Sequence, residues 1–407
     1  MNNLLVAQSG GPSAAINATL VGVLQGARIS DRVDRVYGAK NGIEGVIKGN
    51  ILDLNDLMKD PQALDILTYT PSSALGSCRY KMKDWKEDDR DYRNVIETFK
   101  KYEIKYFVYI GGNDSMDTVD KLSKYCMEND LDYYIIGAPK TIDNDLVLTD
   151  HSPGFGSAAK YIATTIAELE RDISVYDIPA VTIVECMGRN AGWLTAAAAL
   201  ARVNGGPGPD LIYLCEKEFD DVKFIRDIKA KQAVKPGLLV VVSEGIKYKD
   251  GSYVSDSMSN GVVDIFGHKY LAGAARALEN LVRKRIGCKV RSIELNLMQR
   301  AAAHIASETD ITESVMLGQK AVNCAVNGET GRMAAIKRLS DEPYRVDFIA
   351  VPVSEVANHE KTVPLNWICP EGNDVTEEMM AYLRPLIIGE TNVKYENGIP
   401  KHYRLIK

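Results

Sequence analysis

The segment YFVYIGGNDS, residues 106–115, shows most clearly how this chain folds. Its first part, Tyr106–Ile110, is a continuous apolar and aromatic run, which is typical of a strand buried on both faces. Gly111 and Gly112 end that strand, and a helical pattern begins after Ser115. A buried strand that leads through a glycine turn into a helix predicts an α/β fold with a parallel sheet covered by helices.

The same order of strand, polar turn and helix recurs along the chain. Further buried-strand candidates lie at Leu4–Ala7, Tyr133–Ala138, Val181–Glu185 and Leu238–Ser243. Because ligands bind at the carboxyl ends of the strands in such sheets, the glycine- and aspartate-rich turns after these strands are candidate site residues. The length of 407 residues favours two or three domains, and we predict two lobes that face each other across a cleft.

The composition is ordinary for a globular enzyme, with a net charge of -6, 45% apolar residues and 26% charged residues. No basic cluster is present, which argues against a nucleic-acid partner. The seven cysteines form no C-x-x-C pair, which indicates reduced thiols in a cytosol. Neither a secretory signal nor an apolar run long enough to span a bilayer is found. We therefore expect a cytoplasmic protein with no membrane partner.

Two glycine turns follow predicted strands in the first half of the chain. In Ser9–Ser13 (SGGPS), glycines allow close approach to a phosphate, and the following helix offers free N–H groups. No Walker pattern accompanies it, so a P-loop enzyme is excluded. The second turn adds Asn113 and Asp114, and a carboxylate beside a phosphate site predicts a bound cation. The alternatives are a tight strand–helix turn and a helix N-cap.

The segment PKTIDND, residues 139–145, is the most specific motif. It places Asp143 and Asp145 two residues apart, with Lys140 three residues before the first. Phosphoryl transfer needs a base, a divalent cation and positive groups around the transferred phosphate. We therefore predict that Asp143 is the general base and that Asp145 orients it or holds the metal. The alternative is a turn with Asx caps.

Three charged residues follow predicted strands in the second half of the chain. Arg189, in MGRNAG at 187–192, suits bidentate contact with a phosphate. Glu244 is a candidate acceptor of sugar hydroxyls, and Arg300 is a second candidate for gripping a phosphate. For both arginines the alternative is a surface side chain.

The motifs SGGPSAAIN, GGNDS, PKTIDND, VECMGRNAGWL, VVSEGI and LMQRAA occur in this order within about residues 3–305, and together they closely resemble the phosphofructokinases. The resemblance implies two Rossmann-like lobes with parallel sheets covered by helices and the active site in the cleft between them. It implies a donor-phosphate-binding lobe at 1–150, a sugar-phosphate-binding lobe at 151–305, and a C-terminal segment at 306–407 that completes the lobes. Mg²⁺ is the implied cofactor, and we expect a homo-oligomer, either a dimer or a tetramer.

The resemblance also implies roles for individual residues. Gly11 and Arg79 resemble donor-phosphate contacts, and Asn113 stands at the Mg²⁺ position, which Asp114 is expected to share. The expected catalytic residues are Asp143, Lys140 and Asp114. The remaining expected substrate-binding residues are Thr141, Ile142, Met187, Gly188, Arg189, Glu244 and Arg300.

Two departures from the family pattern concern the phosphoryl donor. ATP-using members usually read GGDGS and PGTIDND, whereas here Asp114 and Lys140 replace the glycines, as in the pyrophosphate-dependent branch. The expected reaction is reversible transfer from pyrophosphate to the 1-hydroxyl of fructose 6-phosphate, a glycolytic step giving fructose 1,6-bisphosphate. The alternatives are an ATP-dependent 6-phosphofructokinase, a sedoheptulose 7-phosphate kinase and a non-catalytic sugar-phosphate sensor. A sensor has no need for the base, and the retained Asp143, Lys140 and Arg189 disfavour it.

Overall fold

The computed structural model describes residues 1–175, 177–258 and 273–405 of the chain. Contacts divide the chain into two units. The first consists of Met1–Ser157, Arg300–Lys361 and Ile388–Lys407, and the second of Ala158–Gln299 and Thr362–Ile387. Residues after 305, which carry no recognisable motif, are therefore shared between the units. No helix among the described residues is both long and apolar enough to cross a membrane.

The first unit is built on a sheet with seven strands in its described part. In spatial order these are Tyr344–Pro352, Arg332–Asp341, Tyr134–Pro139, Ile104–Gly111, Asn3–Gln8, Val36–Ala39 and Ile51–Asp53. The five inner strands are parallel, as predicted, and each edge strand pairs antiparallel with its neighbour. A separate short hairpin pairs Tyr395–Glu396 with Ile399–Pro400.

Helices cover both faces of this sheet, because its central strands are apolar on both sides. Alternate residues of the strand Asn3–Gln8 belong to different cores: Leu4 and Val6 pack on one face, Leu5 and Ala7 on the other. The α-helices that lie within this unit are Ile16–Ile29, Gly42–Ile47, Asn55–Lys59, Pro61–Thr68, Arg90–Lys101, Asn113–Glu128 and Glu308–Val326.

Two glycines allow helices Ile16–Ile29 and Glu308–Val326 to pack closely. A Cβ atom at Gly22 would lie 2.0 Å from the carbonyl oxygen of Val315, and one at Gly318 would lie 2.2 Å from that of Thr19. No larger residue fits at either position without moving a helix.

The second unit has a smaller, fully parallel sheet of four strands in its described part. Their order is Leu211–Tyr213, Gly237–Ser243, Ala180–Cys186 and Lys289–Glu294. The accompanying α-helices are Trp193–Ala197, Asp221–Gln232, Ala274–Arg285 and Glu377–Leu383; Phe155–Ser174 and the short Met298–Ala301 run from one unit into the other. The predicted α/β class and the parallel inner strands are thus confirmed.

Candidate active site

Three turns of the first unit lie side by side because the strands before them are neighbours. Strands Asn3–Gln8, Ile104–Gly111 and Tyr134–Pro139 run parallel and in register, so the turns after them emerge at one edge of the sheet. The hydroxyl groups of Ser9 and Ser115 are hydrogen-bonded across two of these turns. The three predicted motifs of the first half of the chain therefore meet at one place.

Lys140 links the outer two of these turns. Its ammonium group donates a hydrogen bond to the carbonyl oxygen of Gly11, and its amide donates to the carbonyl of Gly111 at 2.8 Å. Burial lowers the pKa of Lys140 to about 8. The positive charges of Arg300 and Arg79 also lower it, while Asp143 and Asp145 act against the shift. Lys140 thus brings a buried positive charge to the glycine turn.

The aspartate loop is held in a defined conformation by its own polar groups. Thr141 accepts a hydrogen bond from the amide of Asp143 at 3.2 Å. Asn144 adopts a left-handed conformation with φ of 54°, and its side-chain oxygen accepts the amide of Ser152 at 3.0 Å. One carboxylate oxygen of Asp145 is buried and has no hydrogen-bond partner, and burial raises the pKa of this group. A buried carboxylate oxygen without a hydrogen-bond partner is suited to bind a cation.

The structure gives Asn113 different partners from those expected of a metal ligand. Its side-chain oxygen accepts the amide of Asn358 at 2.6 Å, and its side-chain nitrogen donates to the carbonyl of His359 at 2.6 Å. Both atoms of the amide are therefore engaged by the backbone of a segment far along the chain. Asp114 is exposed in the first turn of helix Asn113–Glu128.

Positive charge gathers around the glycine turn at Gly10 and Gly11. Ser77 donates a hydrogen bond to the carbonyl of Gly10 at 2.6 Å, which anchors the segment that carries the exposed Arg79. A Cβ atom at Gly11 would lie 3.3 Å from a guanidinium nitrogen of Arg300. Arg300, predicted from the sequence as a sugar-phosphate contact, therefore lies beside a residue predicted to bind the donor.

In the second unit, the predicted sugar residues lie at the ends of two adjacent strands. The side chain of Glu244 accepts the amide of Gly188 at 3.3 Å, and Gln299 accepts the amide of Met187 at 3.2 Å. Gly188 has a φ of 130°, which favours glycine, and a Cβ atom there would lie 2.4 Å from the carbonyl of Ala191. The Nε atom of Arg189 is buried without a hydrogen-bond partner, which leaves it available to an anion.

Several residues of both sites were missed by sequence reasoning. In the first unit these are Asn358 and Lys361, which contact the Asn113 and Asp145 turns. In the second, Glu216 accepts the amides of Gly192 and Val363 at 2.8 and 2.9 Å. Each is a single polar residue without a flanking motif, so the sequence offers no signal that would single it out.

The chain is similar in sequence to known proteins of one family. A sequence model of the family described as Phosphofructokinase matches residues 3–325 of the chain. The pyrophosphate–fructose 6-phosphate 1-phosphotransferase of Halomonas elongata is 41% identical over 409 residues, covering 100% of this chain and 96% of that protein. The enzyme of the same name from Methylococcus capsulatus is 40% identical over 406 residues, covering 99% and 96%.

A solved structure resembles the chain over nearly its whole length. The crystal structure of a pyrophosphate-dependent phosphofructokinase from Nitrosospira multiformis has a TM-score of 0.88 and 37% sequence identity. It covers 99% of this chain and 96% of its own.

Proposed function

The chain belongs to the phosphofructokinase family, and from this premise we propose that it transfers a phosphoryl group from inorganic pyrophosphate to the 1-hydroxyl of fructose 6-phosphate. The products are fructose 1,6-bisphosphate and orthophosphate, in a reversible glycolytic step. Two relatives that are about 40% identical to this chain over its full length are named pyrophosphate–fructose 6-phosphate 1-phosphotransferase. The structural observation that carries the proposal is the placement of Lys140 against the glycine turn, next to the Asp143 loop.

In the proposed reaction, Asp143 takes the proton of the sugar 1-hydroxyl. The resulting oxygen attacks the terminal phosphorus of pyrophosphate, the bridging P–O bond breaks, and orthophosphate leaves. Asp143 then releases its proton to solvent. The hydrogen bond from its amide to Thr141 supports this role, because it restricts the orientation of the loop.

The donor phosphates are proposed to bind at the glycine turn. Charge develops on the phosphate oxygens during transfer, and fixed positive groups stabilise it. Lys140 supplies such a group at Gly11, and Arg79 and Arg300 lie close enough to affect its pKa. We propose that Asp114, exposed at the start of its helix, fills the space and repels the charge of a nucleotide α-phosphate, so that pyrophosphate is preferred over ATP.

Phosphotransferases of this family generally need a divalent metal, and we propose Mg²⁺ for this chain. Among the described residues, no three acidic, histidine or cysteine side chains form a cluster that could hold a metal alone. Mg²⁺ in phosphoryl-transfer sites uses one or two carboxylates together with substrate phosphates. The partnerless oxygen of Asp145 fits this requirement, and we propose that Asp145 and Asp114 hold the metal. When bound, it would neutralise charge on the pyrophosphate.

The sugar phosphate is proposed to bind through the second unit. Arg189 would contact its phosphate through the partnerless Nε, and Glu244 would accept sugar hydroxyls. Met187 and Gly188 hold the loop in place through their backbone amides. We further propose that the chain forms a homo-oligomer and that it is located in the cytoplasm. All seven cysteines are free thiols, which suits the reducing conditions of that compartment.

A coupled assay tests the proposal directly. Formation of fructose 1,6-bisphosphate is followed through aldolase with pyrophosphate or ATP as the donor and Mg²⁺ present. We expect turnover with pyrophosphate and little turnover with ATP. A preference for ATP would contradict the donor assignment and leave the family unaffected.

A further inference from the structure

Residues Asn358–Lys361, which we call the strap, contact two turns of the candidate donor site in the first unit. They follow the 3₁₀ helix Val353–Glu355 in the part of the chain where sequence reasoning found no motif. At one end, the backbone amide of Asn358 donates to the side-chain oxygen of Asn113 and the backbone carbonyl of His359 accepts from its side-chain nitrogen. The side chain of Asn358 also donates to Asp117 at 2.9 Å, one turn further along the same helix.

At its other end, the strap is bonded to the aspartate loop. The backbone amide of Lys361 donates to the carbonyl of Asp145 at 2.7 Å. Its ammonium group donates to the carbonyls of Asp150 and Thr149 at 2.7 and 3.1 Å, and lies 3.5 Å from the side-chain oxygen of Asn144. An ammonium group has three donors and no acceptor, which matches three oxygen atoms on one loop.

We propose that the strap sets the position of the Asp143–Asp145 loop relative to the helix that begins at Asn113, and that Lys361 and Asn113 are its two positioning residues. This inference rests on the proposed function, since it assigns the strap a role in that reaction. Phosphoryl transfer depends on the placement of base and donor, and a displacement of about 1 Å can cost roughly 100-fold in rate. Neither residue needs to touch a substrate to have this effect.

The strap also accounts for the asparagine at position 113, where the GGDGS motif of ATP-using members has an aspartate. An amide both donates and accepts, so it can pair with the carbonyl of His359 and the amide of Asn358 together. An ionised carboxylate has no donor and would set a negative oxygen against the carbonyl of His359. Asn113→Asp is therefore expected to disturb the strap, although it restores the aspartate of the GGDGS motif.

Steady-state kinetics and hydrogen exchange test the proposal together. Lys361→Met should lower kcat with pyrophosphate about 10- to 100-fold, with KM for fructose 6-phosphate within about two-fold, and Lys361→Arg should recover part of the loss. Asn113→Ala should lower kcat similarly, and the double variant should lose much less than the product of the two single effects. Such non-additivity is expected only if both residues act through one element.

The matched control is Lys105, whose ammonium group donates to the backbone carbonyl and carboxylate of Asp132 in the same unit. It lies at the amino end of its strand, away from the turns, so Lys105→Met should leave kcat unchanged. The proposal would be overturned if Lys361→Met retained kcat within two-fold, or if its loss of kcat were no larger than the fraction of unfolded protein in the sample.

Amide exchange separates this proposal from the proposed function. In the enzyme without substrate, Lys361→Met should speed exchange in peptides covering residues 141–154, whichever donor the enzyme uses. Unchanged exchange there would refute the strap even if pyrophosphate is the donor. Faster exchange in an enzyme that ignores pyrophosphate would support the strap's positional role and refute the proposed donor instead.

Discussion

The ammonium group of Lys140 reaches the carbonyl oxygen of Gly11 across the end of the strand that separates their two turns. Gly111 and Gly112 end that middle strand, and a Cβ atom at Gly10 would lie 3.1 Å from the ammonium nitrogen. The absence of a side chain at Gly10 leaves room for the ammonium group. A positive charge is thereby held over the turn to which the donor phosphates are assigned.

The first prediction concerns the charge of Lys140. Its pKa of about 8 means that the free enzyme loses this charge as pH rises through 8. We expect kcat/KM for pyrophosphate to be higher below that pH and to fall about ten-fold per unit above it. Lys140→Met should have a lower kcat/KM without this decline. Because the ionisation of pyrophosphate affects both proteins equally, their ratio across pH is the measurement; a constant ratio would contradict the assignment.

The second prediction concerns donor choice. Asp114→Gly removes an exposed carboxylate from the start of helix Asn113–Glu128, so the ratio of ATP turnover to pyrophosphate turnover should rise by about ten-fold or more if repulsion excludes the nucleotide. The ratio is compared because the loss of a proposed metal ligand lowers both rates. Lys140→Gly should mainly lower pyrophosphate turnover. Initial rates with both donors on each variant decide the matter, with Asp91→Gly as an acidic control on another helix. Equal effects of Asp114→Gly and Asp91→Gly would argue against a specific role.

The third prediction concerns the base. Asp143→Asn keeps the shape of the side chain and removes its ability to accept a proton, so kcat should fall about 10²- to 10⁴-fold with little change in KM for the sugar. The variant should keep the thermal midpoint of the wild type. A kcat close to that of the wild type would remove Asp143 from the mechanism.

The fourth prediction separates the two arginines. Arg189→Ala should mainly raise KM for fructose 6-phosphate, because we propose that the buried Nε of Arg189, in the second unit, binds the sugar phosphate. Arg300 lies beside Gly11, so Arg300→Ala should raise KM for pyrophosphate as well. Each KM is measured at saturating concentration of the other substrate. If Arg300→Ala affects the sugar alone, its guanidinium does not serve the donor.

The fifth prediction concerns stability and a buried histidine behind the aspartate loop. His151 lies between the carboxylates of Asp150 and Glu313, at 2.8 and 2.5 Å. Burial alone would lower its pKa, but attraction to Glu313 and bonds to both carboxylates outweigh burial and raise the pKa to about 9. The stabilisation that the charged His151 provides is therefore fully present below pH 6.5, which is the pKa of histidine in the unfolded chain. It is lost as pH rises through 9, the pKa in the folded protein.

This loss should reach on the order of 3 kcal/mol in the free energy of unfolding, at about 1.4 kcal/mol per pKa unit. Urea unfolding of the wild type and His151→Gln between pH 6 and 9 gives the measurement. The pKa values of Lys140 and Lys361 are lowered to about 8, so these lysines change the free energy of unfolding with pH in the opposite direction. They do so equally in the wild type and in His151→Gln. Parallel pH profiles would show that His151 carries no charge in the folded state.

The sequence alone was sufficient to predict the fold class and to single out the motifs of the candidate site. Buried parallel strands must be apolar on both faces, so Tyr106–Ile110 is recognisable without knowing its neighbours. The turns after such strands lie at the carboxyl edge of the sheet, which makes Gly11, Asn113 and Asp143 candidates together. These inferences need only local patterns, since each motif is contiguous in the chain.

The tertiary structure alone decided which of these residues meet and what holds them. Lys361 contacts a loop more than two hundred residues before it, and Asn113 is hydrogen-bonded to Asn358, which lies 245 residues further along the chain. The contacts of the strap, and the proximity of Arg300 to Gly11, arise because folding brings segments that are distant in the chain to one edge of the sheet. A single lysine or asparagine forms no periodic pattern, so its role is determined by the partners that folding supplies and not by its neighbours in sequence.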